Sequence, residues 1–282
     1  MKTTYTSIGE PLTNEQLFAV APSIFAPAPH KSRSEKYSFI PTITVLDGLR
    51  KEGFLPYSVA QSKSRIEGKS EFTKHMIRFR PVDDNQSKKI GDEINEIVMV
   101  NSHDGTSSYQ MMSGVFRLVC LNGLVRGDIA NDIRVRHNGN NLVDGVIEAA
   151  YSIVEEFPII NTKIAEMKQI ELSEPEQEVF ATAALSLKYD EKAPITGTDL
   201  LKRRRYEDDT NNLWTKFNVV QENLIKGGQR GYSATLKKLK TRPVNSIDNS
   251  IRLNKALWIL ADKMIELKNS KVPVVSLSQD AS

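Results

Sequence analysis

The chain has 282 residues, of which 39% are apolar and 26% charged, with a net charge of +3 and one cysteine. That length accommodates a sizeable core in one large domain or two small ones, and the composition excludes a disordered or collagen-like chain. No apolar run approaches the roughly 18 residues of a membrane span. The first residues lack a signal-peptide plan, and the lone Cys120 cannot close an internal disulfide, so a cytoplasmic protein with no membrane partner is expected.

Residues 1–36 contain Pro11, Pro22, Pro27 and Pro29 and read as an extended N-terminal arm with one short helix over Asn14–Val20. A helix opens near Pro41 and ends at Gly53, carrying Ile43, Leu46 and Leu49. Strands are expected over Leu55–Arg65 and Phe72–Arg80. Alternation in the second puts Ile77 and Phe79 on one face and Lys74, Arg78 and Arg80 on the other. With Lys63 and Arg65 of the first strand, that face is basic and is either a solvated outer surface or a phosphate-binding one.

A polar link at 83–92 precedes the apolar run Ile97–Val100 and the Asp104–Gly105 pair, a strong hairpin signal. Asn101, His103, Asp104 and Ser107 crowd around that turn. Downstream, Phe116, Val119 and Cys120 stand at helical spacing, which predicts a short helix stopped at Asn122–Gly123. A strand over Ile133–His137 and a turn at 138–140 close this half.

From Leu142 the period becomes helical, with Val146, Ile147, Ala150 and Ile153 in one stripe and Pro158 breaking or restarting the helix. Ser173 and Glu176 have capping-box spacing and open a helix through Phe180 and Leu187. Lys188–Thr198 reads as loop. A helix from about Asn211 carries Trp214, Phe217, Val220 and Leu224 and stops at Gly227–Gly228, and the last runs from Ile247 to about Lys268. The expected class is α+β. A mixed, mostly antiparallel sheet occupies 37–138 and a helical half 139–268 of a single domain, followed by a flexible tail at 269–282.

Asn218, Gln221 and Asn254 are amides on or beside apolar stripes, where burial is costly unless each is hydrogen-bonded. The Trp214 and Trp258 helices are therefore expected to pack antiparallel, with Asn254 bonded to Asn218 or Gln221.

The chemistry-bearing residues are sparse. His30, His75, His103 and His137 stand far apart with no paired-ligand spacing, so no metal is expected. No Gly-rich phosphate loop or nucleophile elbow occurs, and no cofactor is expected. Asp104 and Asn101 are commoner as turn formers than as cation ligands. The strongest electrostatic feature is Lys226–Arg242, where Lys226, Arg230, Lys237, Lys238, Lys240 and Arg242 occur with no acidic residue and Tyr232 supplies an aromatic face. Read as a mobile loop, it suits a nucleic-acid backbone. Its alternative is a solvated connection between two helices.

Several motifs together resemble one family. They are Asp47–Phe54, His75–Arg80, Asn101–Gly105, Phe116–Val125, Arg203–Asp208, Leu213–Asn218, Gln221–Gly228 and Arg252–Trp258. From about Ile40 to Leu267 the chain resembles the phage- and plasmid-borne family called domain of unknown function 932. The resemblance implies mobile-element DNA metabolism or conflict with a host, and it carries no catalytic residues. The plan of a helix, a basic antiparallel sheet and more helices is also loosely similar to phage single-strand annealing proteins, usually oligomers, although fold alone does not give function.

Three functions follow as expectations. The first is binding of nucleic acid, single strands favoured, with Lys74, Arg78, Arg80, Arg117, Lys226, Arg230, Lys237, Lys238, Lys240 and Arg242 on phosphates and Tyr232 stacking. A homo-oligomer is compatible with it. The second is an interaction module for a host or phage protein, presenting the two tryptophan helices. The third is an enzyme at the hairpin with His103 as general base, oriented by Asp104 or Asn101, in one pocket with Arg117.

Overall fold

A computed structural model describes residues 2–33, 39–82, 93–117, 122–125, 133–135, 141–189 and 192–270. The expected link at 83–92, Val119, Cys120, His137, the turn at 138–140 and the tail beyond 270 lie outside the described residues.

The chain is α+β, with its sheet in the N-terminal half and helices in the C-terminal half. The described strands are β1 (Lys2–Thr6), β2 (Phe54–Ser62), β3 (His75–Pro81), β4 (Glu93–Asn101), β5 (Tyr109–Arg117), β6 (Asn122–Val125) and β7 (Ile133–Val135). They pair in the order β1-β2-β3-β4-β5, and β6 and β7 both pair with β5; every described pairing is antiparallel. The 1–36 segment, read as an arm, supplies β1 to the sheet and helix α1 (Asn14–Val20), whose Leu17 is buried in the core.

Both faces of the sheet are covered. On one, Ile77, Phe79, Ile97, Met99 and Met111 join a core with helices α2 (Thr42–Lys51) and α3 (Leu142–Val154). On the other, Ala60, Met76, Val98, Val100 and Met112 pack under Ile247 of the last helix. Burial on two sides explains why Ile97–Val100 of β4 and Met111–Met112 of β5 are continuous apolar stretches and not clean alternation. It also explains the misread helix at Phe116. Apolar residues on both faces produce helical spacing by coincidence, and pairing with Ile94 holds Phe116 itself in a strand. Asn122–Gly123 likewise belongs to β6 and pairs with Arg117 and Phe116.

The helical half contains α4 (Phe157–Gln169), restarted with Pro158 in its first turn, α5 (Glu174–Ser186), α6 (Gly197–Leu200), α7 (Leu213–Lys226) and α8 (Ile247–Asn269). Ser173 and Glu176 form the predicted capping box. No described helix is long and apolar enough to cross a membrane.

Candidate nucleic-acid interface

The polar hairpin at β4–β5 is an inward-facing structural cluster. Gly105 takes φ +79° at the turn, and Asp104 accepts from the Thr106 hydroxyl at 2.6 Å and pairs with Lys69 at 3.3 Å. The Ser102 hydroxyl accepts the Ser107 amide at 2.8 Å and donates to the Ser107 carbonyl at 3.2 Å. Asn101 and His103 are fully buried, and both meet the hydroxyl of Thr42, at 3.0 Å each. Thr42 also lies 2.9 Å from His75 Nε2. On its other side, His75 Nδ1 lies 2.8 Å from Ser23 Oγ, which donates to Gln61. Because the Ser23 proton is committed to Gln61, the network assigns the His75 proton to Nδ1 and leaves Nε2 to accept from Thr42. Burial, and secondarily the neighbouring His103, pushes the His75 imidazole down to about 3. It is therefore neutral at physiological pH.

Arg117 does not join His103. It lies at the far end of β5 from Tyr109, which shares Thr42 with His103, about 26 Å away at strand rise. It donates to Asp208 at 2.8 Å, and Arg205 donates to the same carboxylate at 2.7 Å. The convergence expected of an active site is absent from the hairpin. Among the described residues no three of His, Cys, Asp or Glu group closely enough to hold a metal ion.

The arginines of β3 also turn inward. The alternation is as expected, but the face is covered, so Arg78 and Arg80 are buried rather than solvated. Both donate to Glu96 of β4, Arg80 at 2.9 Å, and the Arg80 guanidinium lies between the rings of Tyr57 and Phe116, 4.4 Å from each centroid. The ring faces supply negative potential to a guanidinium that shares its carboxylate with Arg78 and whose Nη atoms have no hydrogen-bond partner among the described residues. Lys74 lies at the edge of the face, bonded to Asp248 at 2.7 Å. None of these four cations is available to a phosphate without breaking an ion pair. The residue missed in the sequence is Glu96, a carboxylate directly before the apolar run Ile97–Val100 and in the same strand; that anomaly is the available signal.

The predicted helix pair is present. Gln221 donates to Asn254 at 2.9 Å, while Phe217 meets Trp258 edge-on at 6.0 Å. Moving back along α7 thus moves forward along α8, so they run antiparallel. Asn218 instead donates to the Trp214 carbonyl of its own helix at 2.7 Å. Trp214 and Trp258 are both buried, which removes them from any docking surface.

Between these helices the segment read as a loop is a second hairpin, β8 (Arg230–Tyr232) and β9 (Lys238–Lys240). Its root is fixed. Gly227 has φ +62°, and a Cβ there would lie 2.7 Å from the Thr241 carbonyl oxygen. The Gly228 amide donates to that same oxygen at 2.8 Å, and Val244 donates to the Ile225 carbonyl, also at 2.8 Å. Its back is docked, because Gly231 lies so close to Pro194 that a Cβ would fall 2.0 Å from the carbonyl oxygen, and Tyr232 N donates to that oxygen at 2.9 Å.

Strand alternation then places Arg230, Tyr232, Lys238 and Lys240 together on the other face, all exposed. They wall a hollow of about 500 Å³. Among the described residues none of these three cations, nor exposed Lys237 and Arg242, forms an ion pair. Lys226, at the end of α7, pairs with Glu222 at 2.8 Å.

Sheet, helical half and motifs together define a member of one family. The model of the family described as "Domain of unknown function (DUF932)" matches residues 29–258, and the chain belongs to it. It is 44% identical over 256 residues to "UPF0380 protein YafZ" of Escherichia coli (strain K12), covering 90% of this chain and 92% of that protein. The same identity and coverage relate it to "UPF0380 protein YfjQ" of that organism. No solved structure matches the chain significantly.

Proposed function

We propose that this protein binds single-stranded nucleic acid across the exposed face of the β8–β9 hairpin, in the mobile-element setting implied by the family resemblance. The observation that carries the reading is the grouping of Arg230, Lys238, Lys240 and Tyr232 on one exposed strand face, free of ion pairs among the described residues. Unpaired cations attract phosphates through release of counterions, and an exposed ring beside them stacks a base only where that base is unpaired. The docked back of the hairpin presets this arrangement, which lowers the ordering cost of binding. Lys74, Arg78, Arg80 and Arg117 are assigned to the fold instead.

Fluorescence polarisation with labelled oligothymidine, single-stranded RNA and a duplex, at low and moderate salt, tests the proposal. Binding of single strands that weakens steeply with salt is expected, and Arg230→Glu with Lys238→Glu should abolish it. No binding of any nucleic acid at low salt would refute it.

A further inference from the structure

We propose that the groove behind β9 holds one nucleotide unit, its base against an apolar wall and its phosphate on arginines. This rests on the reading of the hairpin as a nucleic-acid interface. The groove has a volume of about 620 Å³, within the range of small-ligand sites. One wall is apolar, made by Leu187, Tyr189, Pro194 and Leu253. The cations Lys240, Arg242 and Arg252 line the same groove, are exposed and form no ion pair among the described residues. A nucleotide has this same division, a planar base with apolar faces joined through its sugar to an anionic phosphate. Asn245 and Asn249 also line the groove and bring amides, whose donors and acceptors suit base edges.

Two further facts fit that occupant. Among the described residues no acidic side chain lines the groove, and Asp248, next to the lining Asn249, is bonded to Lys74. The walls are also tied together. Lys188 donates to the Leu224 carbonyl at 2.6 Å and to the Arg242 carbonyl at 2.8 Å, joining the segment after α5 to the end of α7 and the exit of β9. Leu239 and Lys240 line both this groove and the hollow on the hairpin face, so one strand can occupy the two in succession.

Photo-crosslinking distinguishes this assignment from the hairpin reading. The probes are oligothymidine carrying 5-iodouracil and free 5-iodo-dUMP, with adducts mapped by mass spectrometry. Labelling of Tyr189 is expected, by the oligonucleotide if the unit belongs to a strand and by the free nucleotide if it does not. Arg242→Ala with Arg252→Ala, both exposed, should weaken oligonucleotide binding and reduce its salt slope by about one per cation removed. Labelling confined to Tyr232, with that double variant binding as wild type, overturns the groove and spares the hairpin. Tyr189 labelling that survives Arg230→Glu with Lys238→Glu keeps the groove and sinks the hairpin. No labelling by either probe overturns both.

Discussion

The arginines of β3 and the cations of β8–β9 sit on the same kind of element, a strand with alternating side chains, and meet opposite fates. Arg78 and Arg80 face a covered side of the sheet and converge on Glu96, whereas Arg230, Lys238 and Lys240 face outward with no carboxylate in reach among the described residues. The difference teaches that local alternation orders a basic face but does not say whether it is wet. That depends on what a distant part of the chain places over it, here Ile247 and Ile251 of α8.

The comparison breaks most severely at Glu96. Glu96→Gln leaves two buried guanidinium groups without their carboxylate and should destabilise the protein by about 3–5 kcal/mol. Arg230→Glu with Lys238→Glu should change stability by only about 0.5 kcal/mol, as exposed substitutions do. Urea denaturation of both variants checks the contrast, and comparable losses would undo it.

The buried side should also be the acid-sensitive one. His75 titrates near 6.5 when unfolded and at about 3 when folded. The unfolded chain therefore binds the extra proton between those values. The His75 contribution is complete above pH 6.5 and is lost as pH falls toward 3, at up to about 1.4 kcal/mol per pH unit. Between pH 6 and 5 the carboxylates titrate little, so the slope of stability against pH there should flatten in His75→Gln. An unchanged slope would show that the imidazole is not held neutral.

Smaller effects belong to the hairpin's anchorage. Gly227→Ala places a Cβ against the Thr241 carbonyl at a backbone angle other residues avoid, and should cost about 1–3 kcal/mol. Asn254→Ala removes the acceptor of the Gln221 amide and should cost about 1–2 kcal/mol. Thermal melts like the wild type in either variant would show that the root tolerates more than its geometry allows.

Much of this was readable from local signals. The Asp104–Gly105 turn, the Ser173–Glu176 capping box and the Gly227 stop depend on residues close in sequence, and the Asn254–Gln221 pair on an apolar stripe along each of two helices. What was not readable depends on distant partners. Phe116 reads as helical because its strand pairing with Ile94 is invisible to periodicity. Segment 226–242 reads as a loop because three-residue strands leave almost no pattern, and the hairpin is held by Gly231 docking on Pro194. His103 has the sequence setting of a base, yet its surroundings, Thr42 and His75, come from two other elements.

The most direct test of the central claim is the salt dependence of single-strand binding in Arg230→Ala, Lys238→Ala, Lys240→Ala beside the wild type. The account predicts that the slope of log K against log salt falls by about two to three, near one per cation removed, with the melting temperature unchanged. A slope equal to that of the wild type would place the phosphates elsewhere and contradict it.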